Sequence, residues 1–72
     1  MSNSEQQVDQ IGVIVRQRRK SLSMTQGELA DLAGVSQRFV YDLERGKPSV
    51  ALDKVLLVCS TLGLRLALEV AN

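Results

Sequence analysis

The chain has 72 residues, of which 44% are hydrophobic, a formal net charge of +1, one cysteine and no histidine. A chain of this length forms one domain with a single core. Because it has no histidine and only one cysteine, it lacks the residues needed for disulfide frameworks, zinc fingers and His-dependent catalysis. The sequence also has no glycine-rich phosphate loop and no carboxylate cluster that would indicate an enzyme. We therefore expect a non-enzymatic domain without metal or cofactor, in which Cys59 is a small buried hydrophobe.

Residues 1–7 are polar and carry one charged residue, Glu5, which predicts a flexible N-terminal segment without a signal-peptide core. No run of about 20 apolar residues follows that could span a membrane. These features favour a cytoplasmic protein that makes no membrane contact.

The basic residues are concentrated although the net charge is small. Residues 16–20 hold four of the nine basic groups, and Arg38, Arg45 and Lys47 lie around a later motif. A basic run of this kind is either a solvated helix face or part of a nucleic-acid surface, and the run alone favours the solvated face.

Apolar residues at helical spacing predict four helices within a domain that covers residues 8–63. Helix one extends from Val8 to Leu22 and carries Arg19 on its apolar stripe, where a buried charge needs an acidic partner. A capping box formed by Thr25 and Glu28 predicts that helix two starts at residue 26. Gly34 is suited to the left-handed conformation that ends this helix.

Helix three is predicted to begin after Ser36, a good N-cap, and to end at Gly46. Helix four is predicted to begin after Ser49 and to end at Gly63. The expected inner faces comprise Leu29, Leu32 and Ala33 in helix two, and Leu52, Val55, Leu56, Cys59 and Leu62 in helix four.

Two short helices joined by a tight glycine-containing turn, over residues 25 to 46, form the arrangement that places a second helix in the major groove of DNA. The polar outer edge of helix three suits base edges, because Gln pairs with adenine, Arg with guanine, and Asp accepts from cytosine. The predicted base-reading residues are Ser36, Gln37, Arg38, Tyr41 and Asp42. The predicted phosphate contacts are Gln26 at the start of helix two, and Arg45 and Lys47 after helix three.

Three of the residues in helix three have a second interpretation. Tyr41 either contacts DNA through its hydroxyl or packs on the helix surface. Asp42 either accepts from a base, or it excludes wrong registers or pairs with Arg38. Phe39 is expected to pack, although contact with a thymine methyl is the alternative.

Residues 64–70 alternate apolar and other side chains with period two, which is typical of a strand. A lone strand leaves its backbone unpaired, so the expected partner is the same segment of a second copy, across a two-fold axis. Arg65 would then face Glu69 of the other chain. A disordered tail or a fifth helix is the alternative, since Leu and Ala are also helix formers. The predicted dimerisation residues of this C-terminal segment, residues 64–72, are Leu64, Leu66, Leu68 and Val70.

Residues 11 to 63 resemble the Cro/phage-repressor (XRE) helix-turn-helix family, through the sequences TQGELA, GVS and LERG and the helix that ends in Leu-Gly. This resemblance implies an all-α, four-helix lambda-repressor-like domain that binds a palindromic operator in double-stranded DNA as a homodimer. It also implies an ion pair between Arg19 and Glu44, which supplies the partner that Arg19 needs and leaves both residues outside the DNA-contacting set.

The alternating C-terminal segment in place of a fifth helix is similar to the HipB-like antitoxins. In that group a C-terminal β-strand pairs with its copy in the dimer, and the dimer represses its own operon and binds a HipA-like kinase toxin. The resemblance implies an autoregulating antitoxin of a HipBA-like type II pair. A stand-alone XRE-family or prophage regulator without a toxin partner is the alternative.

Overall fold

The computed structural model describes residues 3–71, with side chains from Gln7 onward. The four predicted helices are present: α1 (Asn3–Ser21), α2 (Gln26–Ala33), α3 (Gln37–Glu44) and α4 (Leu52–Thr61). Helix α1 begins at Asn3 and not at Val8, because the intervening sequence is rich in Glu and Gln, which are good helix formers. Residues 1 and 2 of the predicted N-terminal segment lie outside the described residues.

The caps that frame the helix-turn-helix are those expected from the sequence. The Thr25 hydroxyl accepts from the backbone N–H of Glu28 at 3.0 Å, and the Glu28 carboxylate accepts from the N–H of Thr25 at 2.8 Å. Gly34 ends α2 with φ at 75°. Ser36 then caps α3 by accepting from the N–H of Phe39 at 3.0 Å. Local side chains therefore fix the start of α2 and the start of α3, and the left-handed conformation of Gly34 fixes the end of α2.

The start of α4 differs from the prediction. Ser49 does not cap the helix; Ala51 occupies the N-cap position without a side-chain hydrogen bond. The chain remains extended through Ala51, whose carbonyl accepts the first helical bond from the N–H of Val55 at 3.0 Å. Ser49 thus lies two residues too early in the chain to serve as the cap.

The core consists of aliphatic side chains from all four helices. Leu29 and Ala33 face it as predicted, whereas Leu32 is 70% exposed and Leu52 is 62% exposed. Leu56 is also exposed, whereas Val55, Cys59 and Leu62 are buried as predicted, and Val58 is a further buried residue of this face. Helical periodicity thus predicted which side of each helix is buried but not how wide the buried stripe is. The buried hydrophobic residues are Val15, Leu29, Ala30, Ala33, Val40, Leu43, Val55, Val58, Cys59 and Leu62.

Helix α1 crosses the end of α3 at Gly12. A Cβ at this position would overlap the carbonyl oxygen of Leu43 and lie 3.1 Å from that of Glu44. The absence of a side chain therefore permits the close approach of α1 to the backbone of α3. This crossing holds α1 against the carbonyl groups at the C-terminal end of α3.

The C-terminal segment has neither strand nor helix in the described part, up to residue 71. The predicted strand is therefore absent from the single chain, because strand hydrogen bonds need a partner and residues 3–71 contain no second strand. The fifth helix is not formed here either. Leu64 packs against the core and its N–H donates to the carbonyl of Cys59 at 2.8 Å. Leu68 and Val70 project outward and are 97% and 94% exposed.

Within residues 3–71, no helix is both long enough and apolar enough to cross a membrane.

Candidate nucleic-acid interface

The exposed edge of α3 carries the predicted base-reading residues. Val40 and Leu43 are fully buried and hold the opposite side of this two-turn helix in the core. Ser36, Gln37 and Arg38 are exposed at its beginning. The amphipathic sequence of α3 thus anchors one side of the helix and leaves its first turn free for contact.

Tyr41 lies between two guanidinium groups. The carbon centres of the Arg38 and Arg45 guanidiniums are 5.5 and 5.2 Å from the ring centroid. The Tyr41 hydroxyl also accepts from an Nη of Arg45 at 3.3 Å. These contacts orient both arginines along α3. The ring is 40% exposed, so surface packing does not remove it from the interface.

Asp42 forms ion pairs within the chain. Its Oδ1 is 3.2 Å from Nε of Arg38, and its Oδ2 is 3.7 Å from Nζ of Lys47. Of the roles considered for this residue, the structure contains the pairing with Arg38, and Lys47 is an additional partner. Asp42 is therefore placed on the predicted surface but is held by two cations in the free protein.

The predicted phosphate contacts lie at both ends of the helix-turn-helix. Gln26 is half-buried at the start of α2 and donates through Nε2 to the Glu44 carboxylate at 3.1 Å. This bond fixes the Gln26 side chain against the end of α3. Arg45 and Lys47 are exposed beyond α3. These three residues therefore lie at the two ends of the helix-turn-helix, and their contact with phosphate stays a prediction.

Arg16 of α1 also lies at this surface, although the sequence did not distinguish it from its basic neighbours. It lines a groove of about 310 Å³ together with Gln26, Tyr41, Glu44 and Arg45. Two cations thus face a groove beside the exposed edge of α3. The signal was present in the basic run at residues 16–20, but spacing alone did not show which of its members would reach α3.

Arg18 and Arg19 of the basic run make contacts within the fold. Arg18 donates from Nε to the carbonyl of Leu62 at 2.9 Å and so satisfies an end group of α4. Arg19 is buried, whereas Lys20 is exposed. The run is therefore neither a uniformly solvated face nor a uniform DNA surface.

Arg19 forms the ion pair that the family resemblance implied. Its Nε and one Nη donate to the two oxygens of Glu44 at 2.7 and 2.9 Å, and its other Nη donates to the carbonyl of Met24 at 2.8 Å. The hydrogen bond with Glu44 raises the pKa of Arg19 above its ordinary value. These bonds join α1, the α1–α2 connection and α3, and keep both charges inside the fold.

Cys59 and Phe39 are part of the packing, as expected. Cys59 is 5% exposed, and burial raises the pKa of its thiol. Phe39 packs against the core, and the ammonium of Lys54 lies 6.0 Å from its ring centroid. Neither residue contributes a polar group to the exposed edge of α3.

Comparison with known proteins agrees with this geometry. The helix-turn-helix family profile matches residues 15–68, which include every predicted base-reading and phosphate-contacting residue. The chain is also 53% identical over 53 residues to the protein of Sinorhizobium fredii (strain NBRC 101917 / NGR234) named "Uncharacterized HTH-type transcriptional regulator y4mF", a match that covers 74% of this chain and 70% of that protein. The chain belongs to the helix-turn-helix family, of the Cro/phage-repressor (XRE) type.

Proposed function

We propose that the protein is a sequence-specific transcriptional repressor that binds double-stranded DNA through the first turns of α3. The observation that carries this proposal is the exposure of Gln37 and Arg38 on a helix whose opposite side, at Val40 and Leu43, is fully buried. A helix anchored in this way presents a rigid polar edge to the major groove. The transcriptional role is supported by the name of the Sinorhizobium fredii relative.

Base reading is assigned to Ser36, Gln37, Arg38, Tyr41 and Asp42. Arg38 is 76% exposed at its side chain and can pair bidentately with guanine, while the Gln37 amide suits adenine. Tyr41 keeps the Arg38 guanidinium over its ring and so limits the rotamers that Arg38 samples. Each good bidentate pair contributes about 1–3 kcal/mol of discrimination against a wrong base.

Phosphate contacts are assigned to Gln26 on one side and to Arg45 and Lys47 on the other. Such contacts set the position of α3 in the groove and carry no base information of their own. Arg16 joins this set because it shares a groove with Gln26 and Arg45.

The proposed active form is a homodimer whose recognition helices reach successive major grooves, roughly 34 Å apart, on a palindromic operator. Pairing of residues 64–70 with their copy is the proposed contact, and it is supported by the exposure of Leu66, Leu68 and Val70. Deletion of residues 64–72 should convert the dimer into a monomer, as measured by light scattering. A truncated chain that keeps the dimer mass contradicts strand pairing.

Within this family, an antitoxin role is the finer candidate. It is supported by the C-terminal segment, which follows Gly63 without a fifth helix in residues 64–71, as in the HipB-like antitoxins that the sequence resembles. Co-expression with the neighbouring gene product, if that gene encodes a HipA-like kinase, should give a stable complex. Failure of the two proteins to co-purify would leave the alternative, a stand-alone XRE-family or prophage regulator.

The DNA-binding proposal is tested by selection from a pool of random duplexes. The full chain should enrich one palindromic sequence and bind it about 10³-fold or more tightly than a scrambled duplex, with an affinity that falls steeply as salt rises. Enrichment of no sequence above the starting pool would contradict the proposal.

A further inference from the structure

The carboxylate of Asp42 lies between two cations of the predicted DNA-contacting surface. Arg38 approaches it from one turn earlier on α3, at 3.2 Å, and Lys47 approaches it from the turn after α3, at 3.7 Å. The backbone N–H of Lys47 also donates to the carbonyl of Asp42 at 3.0 Å. The position of Lys47 is thus tied to Asp42 through both backbone and side chain.

Asp42 lies deeper than its partners. Its side chain is 15% exposed, against 76% for Arg38 and 53% for Lys47. The three residues line a hollow of about 350 Å³ together with Arg45, Gly46 and Pro48. A phosphate or a base edge that enters this hollow meets both the cations and the carboxylate that already pairs with them.

We infer that Asp42 is a specificity-determining residue: by pairing with Arg38 and Lys47 it lowers the affinity of the interface for DNA in general, and only base edges that replace it as a partner restore high affinity. This inference rests on the proposed DNA-binding function. It assigns Asp42 a role in rejecting wrong sequences, besides any direct contact with a base.

DNA of arbitrary sequence offers the interface mainly phosphates, and its affinity depends on the number of cations that can neutralise them. Arg38 and Lys47 contribute less when an internal carboxylate is already their partner. Asp42 also repels any phosphate that enters the hollow. The internal pairs therefore oppose binding wherever phosphates are the only available ligands.

A matching base pair offers hydrogen-bond partners to the same charged groups, so the internal ion pairs no longer oppose binding. Guanine offers Arg38 two acceptors, and the amino group of cytosine can donate to the carboxylate of Asp42. Both members of the internal pair then have partners on the DNA. The exchange therefore replaces an internal ion pair with hydrogen bonds to the DNA and leaves neither Arg38 nor Asp42 without a partner.

The test compares Asp42→Asn with Asp31→Asn. Both substitutions raise the net charge by one and keep the side-chain size, but Asp31 lies on the exposed outer face of α2 and does not line the hollow. The affinities of the full-length proteins for the selected duplex and for a scrambled duplex are measured at several salt concentrations. Circular dichroism verifies that each variant keeps its helices.

For Asp42→Asn we expect the affinity for the scrambled duplex to rise about tenfold and its log–log salt slope to steepen by about one unit per bound chain. The affinity for the selected duplex should rise less than threefold, so the preference for it declines. Asp31→Asn should change either affinity by less than about twofold, because it adds no free cation to the hollow.

A second measurement uses Lys47→Ala in both backgrounds. If the Asp42 carboxylate restrains Lys47 by pairing with it, this substitution should lower the affinity for the scrambled duplex about twofold in the wild type and about fivefold in Asp42→Asn. Equal losses in the two backgrounds would show that Asp42 does not restrain Lys47 and would overturn the inference.

The outcomes separate this inference from the proposed function. Equal gains in Asp42→Asn and Asp31→Asn would assign the effect to net charge and overturn the inference alone. A lost preference with unchanged affinity for the scrambled duplex would make Asp42 only a direct base contact, and would also overturn it. A wild-type protein that prefers no sequence would contradict the proposed function and this inference together.

Discussion

The guanidinium of Arg19 and the carboxylate of Glu44 meet in two parallel hydrogen bonds, of 2.7 and 2.9 Å, inside the fold. The two side chains are only 9% and 3% exposed. Glu44 also accepts from Gln26, so the same carboxylate joins the buried pair to the predicted phosphate contact at the start of α2. Core geometry and interface geometry are therefore linked through one residue.

Removal of Arg19 should be strongly destabilising. Arg19→Ala leaves the Glu44 charge buried without its main partner, which costs about 3–5 kcal/mol. That is a large share of the roughly 4–11 kcal/mol typical of a domain of this size. Urea denaturation measures the loss, and Lys20→Ala, at an exposed neighbouring position, should change stability by less than about 0.5 kcal/mol. A loss below about 1 kcal/mol for Arg19→Ala would contradict the structural role of the pair.

Gly12→Ala should also destabilise the fold, although alanine is the better helix former. The added methyl group would overlap the carbonyl oxygen of Leu43, so α1 and α3 must separate. Overpacking of this kind costs about 1–3 kcal/mol, and the gain of up to about 1 kcal/mol in helix propensity offsets only part of it. Gln17→Ala, at an exposed position of α1, is the control. Unchanged thermal unfolding of Gly12→Ala would refute the close crossing.

The buried thiol of Cys59 should make stability depend on pH in the alkaline range. Burial raises the pKa of Cys59 in the folded chain above that of the unfolded chain, where the thiol has a pKa of about 8.5. The unfolded state therefore loses its proton first as the pH rises, so the contribution of the neutral buried thiol is complete below that pKa and is lost above it. Between pH 7.5 and 9.5 the urea midpoint of the wild type should fall more than that of Cys59→Ala. Urea midpoints that fall equally with pH in the two proteins would contradict this prediction.

Arg16→Ala should weaken DNA binding without changing sequence preference. Arg16 lines the groove beside Gln26 and Arg45, where a phosphate contact is expected. Its removal should lower the affinities for the selected and the scrambled duplex by a similar factor, and reduce the salt slope by about one unit per bound chain. Lys20→Ala removes an exposed cation of α1 that lines neither this groove nor the hollow at Asp42, and should leave the slope unchanged. An unaltered salt slope in Arg16→Ala would place Arg16 outside the interface.

The sequence predicted best what neighbouring residues determine. The caps at Thr25, Ser36 and Gly34 were correct because each satisfies backbone groups within a few residues of itself. The cap of α4 was wrong because Ser49 is a suitable residue type, but the chain remains extended for two more residues. Residue type alone did not show where that helical turn begins.

Features that depend on contacts between distant parts of the chain could not be predicted from the sequence. Leu32 and Leu52 follow helical spacing, but spacing does not show how wide the buried stripe is, and both are exposed. The pairing of Asp42 with Lys47 depends on the turn after α3, which returns the lysine to the helix. A strand at residues 64–70 would depend on a partner that a single chain does not contain.

The central claim is that the exposed edge of α3 reads DNA, and the most direct measurement is the affinity of Arg38→Ala for the selected and the scrambled duplex. The claim predicts a loss of about 1–3 kcal/mol on the selected duplex and a much smaller loss on the scrambled one, so that preference for the selected sequence declines. A variant that keeps the wild-type ratio of the two affinities would contradict it.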